Sequence, residues 1–310
     1  MKTRRGFTLI ELLVALLLLT IVLGGIYRLL NNTQRISRAQ AEHVDMQSNM
    51  RAGSLIVPSE LRAIGFDSIP LATADAIVPD LEDLQPNSVT FRTVRSLGFI
   101  CQILTTPDRL IVGTTAAANY SQLRNPNASP GDSLMVFVEK DPTTTSDDRW
   151  VSRGISVTPT ATTCPDGSAA WSFRTSFAVT TPSAPANDPL ANTDFTVGSP
   201  IRSFEVVKYK LYQDASGLYY LGAESVSNSA AVQPVLGPLR AADGFRLDYF
   251  DKNGTAIATT TAADKRNVRA IQVTLIGVSS QNVTTDGYGS QRQAVDSVVT
   301  LVQLRNAVHR

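Results

Sequence analysis

Histidine and cysteine are nearly missing from this chain of 310 residues, which has two of each: His43, His309, Cys101 and Cys164. Histidine is the side chain best suited to proton transfer near neutral pH, and zinc sites draw on several His and Cys together. Both chemistries lack raw material here. The cysteines stand 63 positions apart, so there is no C-x-x-C redox spacing. Neither histidine accompanies a G-x-S-x-G nucleophile, and no G-x-x-x-x-G-K-[ST] loop is present to cradle phosphates. An excess of one charge is lacking too. Lys plus Arg number 28 against 27 Asp plus Glu, so no strong field draws the chain to nucleic acid. The expectation is a protein that is not an enzyme and has no cofactor. Its length permits one or two domains with a sizeable core. Ser, Thr, Asn and Ala crowd its middle, a usage that suits a loop-rich, β-rich extracytoplasmic domain.

What the chain does have is a long apolar run near its start. From Phe7 to Tyr27 the only charge is Glu11. A helix of that length spans roughly 31 Å, the thickness of a hydrocarbon core. Lys2, Arg4 and Arg5 precede it without an acid, which keeps that end in the cytoplasm and sends the rest outward. Arg28, Arg35 and Arg38 on the far side weaken the asymmetry slightly. The run exceeds the apolar stretch of a secretory signal, and its one small pair, Gly24-Gly25, is followed at once by Ile26 and Tyr27. Without Glu11 this would read as a plain signal anchor. A carboxylate near the centre of a spanning helix costs on the order of 2.5–3.5 kcal/mol and calls for a partner. Cleavage between Gly6 and Phe7 would supply one. The new α-ammonium on Phe7 would lie on the same helix face as Glu11, four residues on. Glu11 could then pair with its own terminus or with a neighbour's, and the second pairing would fix an axial stagger between packed helices.

The stretch "RRGFTLIELLVALLLL" resembles the class III signal of type IV pilins and pseudopilins. The resemblance implies that a prepilin peptidase cuts after Gly6 and N-methylates Phe7, and that Glu11 is the glutamate needed for assembly. It also implies a fold: a long N-terminal helix, membrane-spanning in its first half, packed on an antiparallel β-sheet head with inserted loops. That is an α+β chain with a leader at 1–6, a spanning half at 7–27, an amphipathic half at 28–64 and a head at 65–310.

Residue periodicity agrees with that division. Ile36, Ala39, His43, Met46, Met50, Gly53, Val57, Leu61 and Ile64 recur at three- and four-residue steps and form one apolar face. His43 is expected on that face as a half-buried packing residue. Gly24-Gly25 and Pro58 are the points where this helix should bend, and Gly65 is expected to cap it. Beyond it, 88–94, 132–140, 170–177, 203–212, 244–250, 268–278 and 296–306 read as strands, with a hairpin after 212. Polar, Pro-rich tracts at about 113–132 and 180–200 read as inserted loops. The late run "FRLDYFDKNG", "VRAIQVTLIG" and "LVQLRN", with the helix-end stretch "SELRAIGF", is similar to PilW-type minor pilins and to the J-type pseudopilin of type II secretion.

Three further features bear on chemistry. Cys101 and Cys164 could form a disulfide worth roughly 4 kcal/mol in the chain-entropy model, if the fold brings them together. "DKNGT" at 251–255 opens like a calcium loop, but Ala262 stands where the bidentate Glu would be, which favours a simple turn. Calcium elsewhere, through Asp147, Asp148, Asp188 or Asp194, stays open. Losing the leader would take the side-chain charge from +1 to −2, which argues against DNA binding.

The resemblance implies a minor pilin that primes a type IV pilus or sits at its tip, serving motility, adhesion or DNA uptake. The partners implied are the prepilin peptidase/N-methyltransferase, other minor pilins, the major pilin and the inner-membrane assembly platform. The alternatives are a type II secretion pseudopilin and a pilus-borne adhesin.

Overall fold

The computed structural model describes residues 8–62, 64, 81–105, 108–119, 132–138, 143, 149–155, 157–176, 195–258, 261–284 and 291–304. One helix, α1 (Leu9–Arg62), precedes eight strands: β1 (Leu81–Gln85), β2 (Ser88–Thr105), β3 (Asp108–Asn119), β4 (Ser133–Val138), β5 (Arg149–Ile155), β6 (Thr160–Thr163), β7 (Ala169–Phe173) and β8 (Thr175–Ser176). Then follow β9 (Pro200–Gln213), β10 (Tyr219–Ser225), β11 (Gln233–Leu239), β12 (Phe245–Phe250), a short α2 (Ala262–Asn267), β13 (Ala270–Thr284) and β14 (Gln291–Gln303). The architecture is α+β: one long N-terminal helix packed on a large antiparallel sheet.

The sheet is organised around two long central strands. β2 and β9 pair antiparallel from Ser88↔Lys210 to Phe99↔Pro200. Along the opposite edge of β9, β10 covers residues 207–213 and β4 covers 201–204. The sheet therefore forks into two lobes that share a β2–β9 spine. One lobe holds β10–β14 and α1; the other holds β3–β8.

Each lobe has its own core. Met50, Val57 and Leu61 of α1 pack with Phe91, Tyr209, Leu236, Phe245, Ile271 and Leu275. Ile100, Leu110, Leu134, Val136, Phe173 and Ile201 form the second cluster. Alternation puts Ile201, Ser203, Glu205, Val207 and Tyr209 on one face of β9, so the polar pair falls between the two cores. The buried belt is hydrogen-bonded. Ser225 Oγ donates to Glu205 Oε2 at 2.9 Å, and Asn228 Nδ2 donates to Ser225 Oγ at 3.0 Å and Asp132 Oδ1 at 2.9 Å. Pairing matters there, because a buried polar group without a partner costs on the order of 1–3 kcal/mol.

Several elements differ from the reading of the sequence. β2 runs to Thr105 rather than ending at 94, because a bulge near Arg95 interrupts the alternation without ending the pairing. Residues 113–119, read as the start of an inserted loop, extend β3. Their partners are Ser96, Gly98 and Phe99 of β2, so ladder bonds hold a stretch that has no apolar alternation. His43 is exposed, not inward. Measured from buried Met46, position 42 lies about 40° off the packing direction and position 43 about 60° off on the other side, so Glu42 takes the inward place. Ile36 is also exposed, and contact with the head begins at Ala39.

Candidate functional site

The candidate site is the N-terminal part of α1. The helix has 54 residues, about 81 Å of axis, and it divides sharply. From Leu9 to Arg38 every residue but Asn31 is exposed, although the first two-thirds of that stretch is almost wholly aliphatic. Leu9 is 81 % exposed, Ile21 65 % and Leu29 69 %. By length and composition this helix is able to cross a membrane, and its apolar window is buried against nothing among the described residues. So large an unpartnered aliphatic surface requires an apolar environment that the described residues do not supply.

Glu11 sits in the first turn of this helix. Thr8 is its neighbour: the Thr8 backbone N and Oγ1 both stand 3.5 Å from Glu11 Oε2, and Glu11 N is 3.4 Å from Thr8 Oγ1. Leu12 N donates to Thr8 O at 3.2 Å. This is the reciprocal Thr-x-x-Glu cap of a helix N-terminus. The distances are long for hydrogen bonds, so the local cap holds the carboxylate weakly and leaves it able to accept a stronger, charged donor. Thr8 was missed in reading the sequence, although the spacing T-x-x-E was there to find. Lys2, Arg4, Arg5, Gly6 and Phe7 lie outside the described residues.

Past Arg38 the helix meets the head. Ala39 and Met46 pack on Val283 and Ala294. Glu42 accepts from Ser280 N and Ser280 Oγ at 2.9 Å, and Asn49 Nδ2 donates to Gly237 O at 3.0 Å. Glycines let helix and sheet approach closely. A Cβ on Gly53 would come 2.4 Å from Leu236 Cδ2, and one on Gly277 would come 2.8 Å from Met50 Cε. The aliphatic half thus belongs to the same continuous helix as the part that is bonded and packed into the head.

Residues 1–27 match the family model for the prokaryotic N-terminal methylation motif. The chain carries a prepilin-type N-terminus. No curated protein and no solved structure matches it. The prepilin motif supports a type IV pilin or pseudopilin, a structural subunit anchored in a membrane, processed by a prepilin peptidase and assembled with other pilins. The match ends at residue 27, where the helix leaves the apolar run, and does not extend to the head of this prepilin-type chain.

In the head, Cys101 on β2 and Cys164 after β6 are joined by a disulfide, with Cα atoms 5.7 Å apart. It links the β6–β7 hairpin to the spine of the second lobe. "DKNGT" forms a tight turn. Asp251 Oδ1 accepts from Asn253 N and Thr255 N at 2.8 Å, and Gly254 takes a φ of 79°. These bonds, that from Thr255 first, hold the Asp251 carboxyl below its ordinary pKa. Asp214 does the same in the β9–β10 turn, where the Ser216 hydroxyl is the main cause. Among the described residues no three His, Cys, Asp or Glu converge as a metal cluster would. Asp147, Asp148, Asp188, Asp194 and His309 lie outside them.

Proposed function

We propose that the chain is a minor type IV pilin of the PilW kind, a subunit that primes pilus assembly and occupies the tip. The observation that carries this reading is a prepilin-type N-terminus continuing into a helix whose aliphatic half packs on nothing among the described residues. Cleavage after Gly6 leaves Phe7 as a methylated α-ammonium, and Lys2, Arg4 and Arg5 depart with the leader. Before assembly the helix is stored in the inner membrane with the head on the periplasmic side. In the filament the aliphatic halves pack on one another, and Glu11 exchanges its weak Thr8 cap for the Phe7 amine of a neighbouring subunit. That exchange turns a carboxylate that is costly in a bilayer into a register mark between helices. The tip position is favoured by the shape of the head. The second lobe, with β3–β8 carried on the extended β2–β9 spine, adds bulk that a tightly packed shaft has little room for.

The test is Glu11→Ala in cells that make the pilus. The variant is expected to be cleaved and methylated like the wild type, to accumulate in the inner membrane and to be lost from sheared filaments. Normal incorporation would refute the pairing. The same cells tell a pilus from a type II secretion pseudopilus: loss of the gene abolishes piliation in one case and protein export in the other.

A further inference from the structure

Directly after the aliphatic run, α1 carries Arg28, Arg35 and Arg38, all exposed, and the stretch from 28 to 41 contains no acid. The three arginines make no ion pair among the described residues. Two of them point in a defined direction. Eighteen residues are five full turns of an α-helix. Arg28 therefore lies directly beneath Met46 and Arg35 directly beneath Gly53, and both of those residues are buried against the sheet. Below the head, then, the helix face that would continue the packing stripe is cationic. The sheet adds a fourth charge at the lower edge of the head, on the side of α1. Arg292 is exposed and lies two residues before Ala294 on β14, hence on the strand face that turns toward α1. The nearest carboxylate on the helix, Glu42, is engaged by Ser280.

The membrane sets the height of these charges. A hydrocarbon core of about 30 Å starting near Leu9 ends at about Arg28, and the headgroup layer adds about 5–7 Å. Arg35 and Arg38 stand roughly 10 and 15 Å further along the axis. Long arginine stems fold back toward phosphates, and a tilt of about 20°, ordinary for a spanning helix, lowers one face toward them. When the tilt is toward the head, that face is the one with Arg28, Arg35 and Arg292. A guanidinium fork matches the phosphate of a lipid headgroup.

We propose that Arg28, Arg35, Arg38 and Arg292 form a docking surface for anionic phospholipid in the outer leaflet of the membrane that α1 crosses, one that holds the head down on the bilayer. This rests on α1 spanning a bilayer and not on filament assembly, so failure of the pilin reading leaves it standing.

The experiment places the full chain in nanodiscs of equal parts phosphatidylglycerol and phosphatidylcholine, and native mass spectrometry reads which lipids stay bound on release. Wild type is compared with Arg28→Gln, Arg35→Gln and Arg38→Gln, singly and together. Gln keeps helix propensity, and circular dichroism checks the fold. The preference for phosphatidylglycerol is expected to fall about fivefold per arginine replaced, which corresponds to about 1 kcal/mol each. It should also weaken in high salt. The leader residues Lys2, Arg4 and Arg5 are common to all variants and cancel. No preference in the wild type, or an undiminished one in the triple variant, would overturn the proposal. So would unchanged lipid retention with loss of assembly, which would assign the arginines to a protein neighbour.

Discussion

Gly53→Ala puts the seating of the helix on the head to a quantitative test. In an exposed helix this change is favourable by about 0.8–1 kcal/mol, because alanine loses less backbone freedom. At position 53 the added Cβ would stand 2.4 Å from Leu236 Cδ2 and 2.8 Å from Leu275 Cδ1. Both leucines are buried in the main core, 5 % and 1 % exposed, so neither has free space to swing into. Overpacking of this kind costs about 1–3 kcal/mol, which outweighs the helix gain and leaves a net loss of up to about 2 kcal/mol. In a domain of this size each kcal/mol moves Tm by about 2–4 °C. Leu236→Ala removes the closest atoms. Alone it costs about 2–5 kcal/mol as a cavity, but in its presence Gly53→Ala should become neutral or stabilising. Gly24, in the same helix with nothing within 4 Å, is the control, and its change to Ala should not lower Tm. Thermal unfolding of the full chain in mild detergent, followed by far-UV circular dichroism, gives all four values. If Gly53→Ala stabilises the wild-type background as much as the Leu236→Ala background, helix and sheet are not in the contact described, and the link from membrane span to head is lost.

Two further outcomes follow from the head. Replacing Cys101 and Cys164 by alanine should destabilise the second lobe by up to about 4 kcal/mol, as expected for a crosslink spanning 63 positions, while hydrogen exchange in β12–β14 stays at the wild-type level. Uniform loss across both lobes would contradict the forked architecture. Glu42→Ala removes the acceptor of Ser280 N and Oγ and should lower stability by about 1 kcal/mol, whereas His43→Ala should stay within about 0.5 kcal/mol. A reversal of that order, again by thermal unfolding, would return His43 to the inward face.

Two periodicities made the fold class legible in the sequence. Three- and four-residue steps through Met46, Met50, Gly53, Val57 and Leu61 mark the helix face, and alternation in 207–212, 245–250 and 270–278 marks strands with one more deeply buried face. What escaped were strands held mainly by their neighbours' hydrogen bonds. β6 is exposed at every position, β11 carries two prolines and a glycine, and the end of β3 is Thr- and Ala-rich. None has an alternating apolar sequence, so no pattern exposes them. Glu42 escaped for a related reason. Its place is set by the exact phase of the helix against Ser280, and apolarity alone favoured His43. At the N-terminus the situation was reversed. Gly6, Phe7 and Glu11 were legible as a motif, while the local partner of Glu11, Thr8, came from the structure.

The central claim is that the Gly6–Phe7 bond is a processing site and that the helix beyond it is built for assembly. Mass spectrometry of the protein recovered from cells with an active prepilin peptidase tests this most directly. The account predicts an N-terminal peptide that begins at Phe7 and carries one methyl group on its α-amine. A chain that keeps Met1 to Gly6 intact in those cells would contradict it.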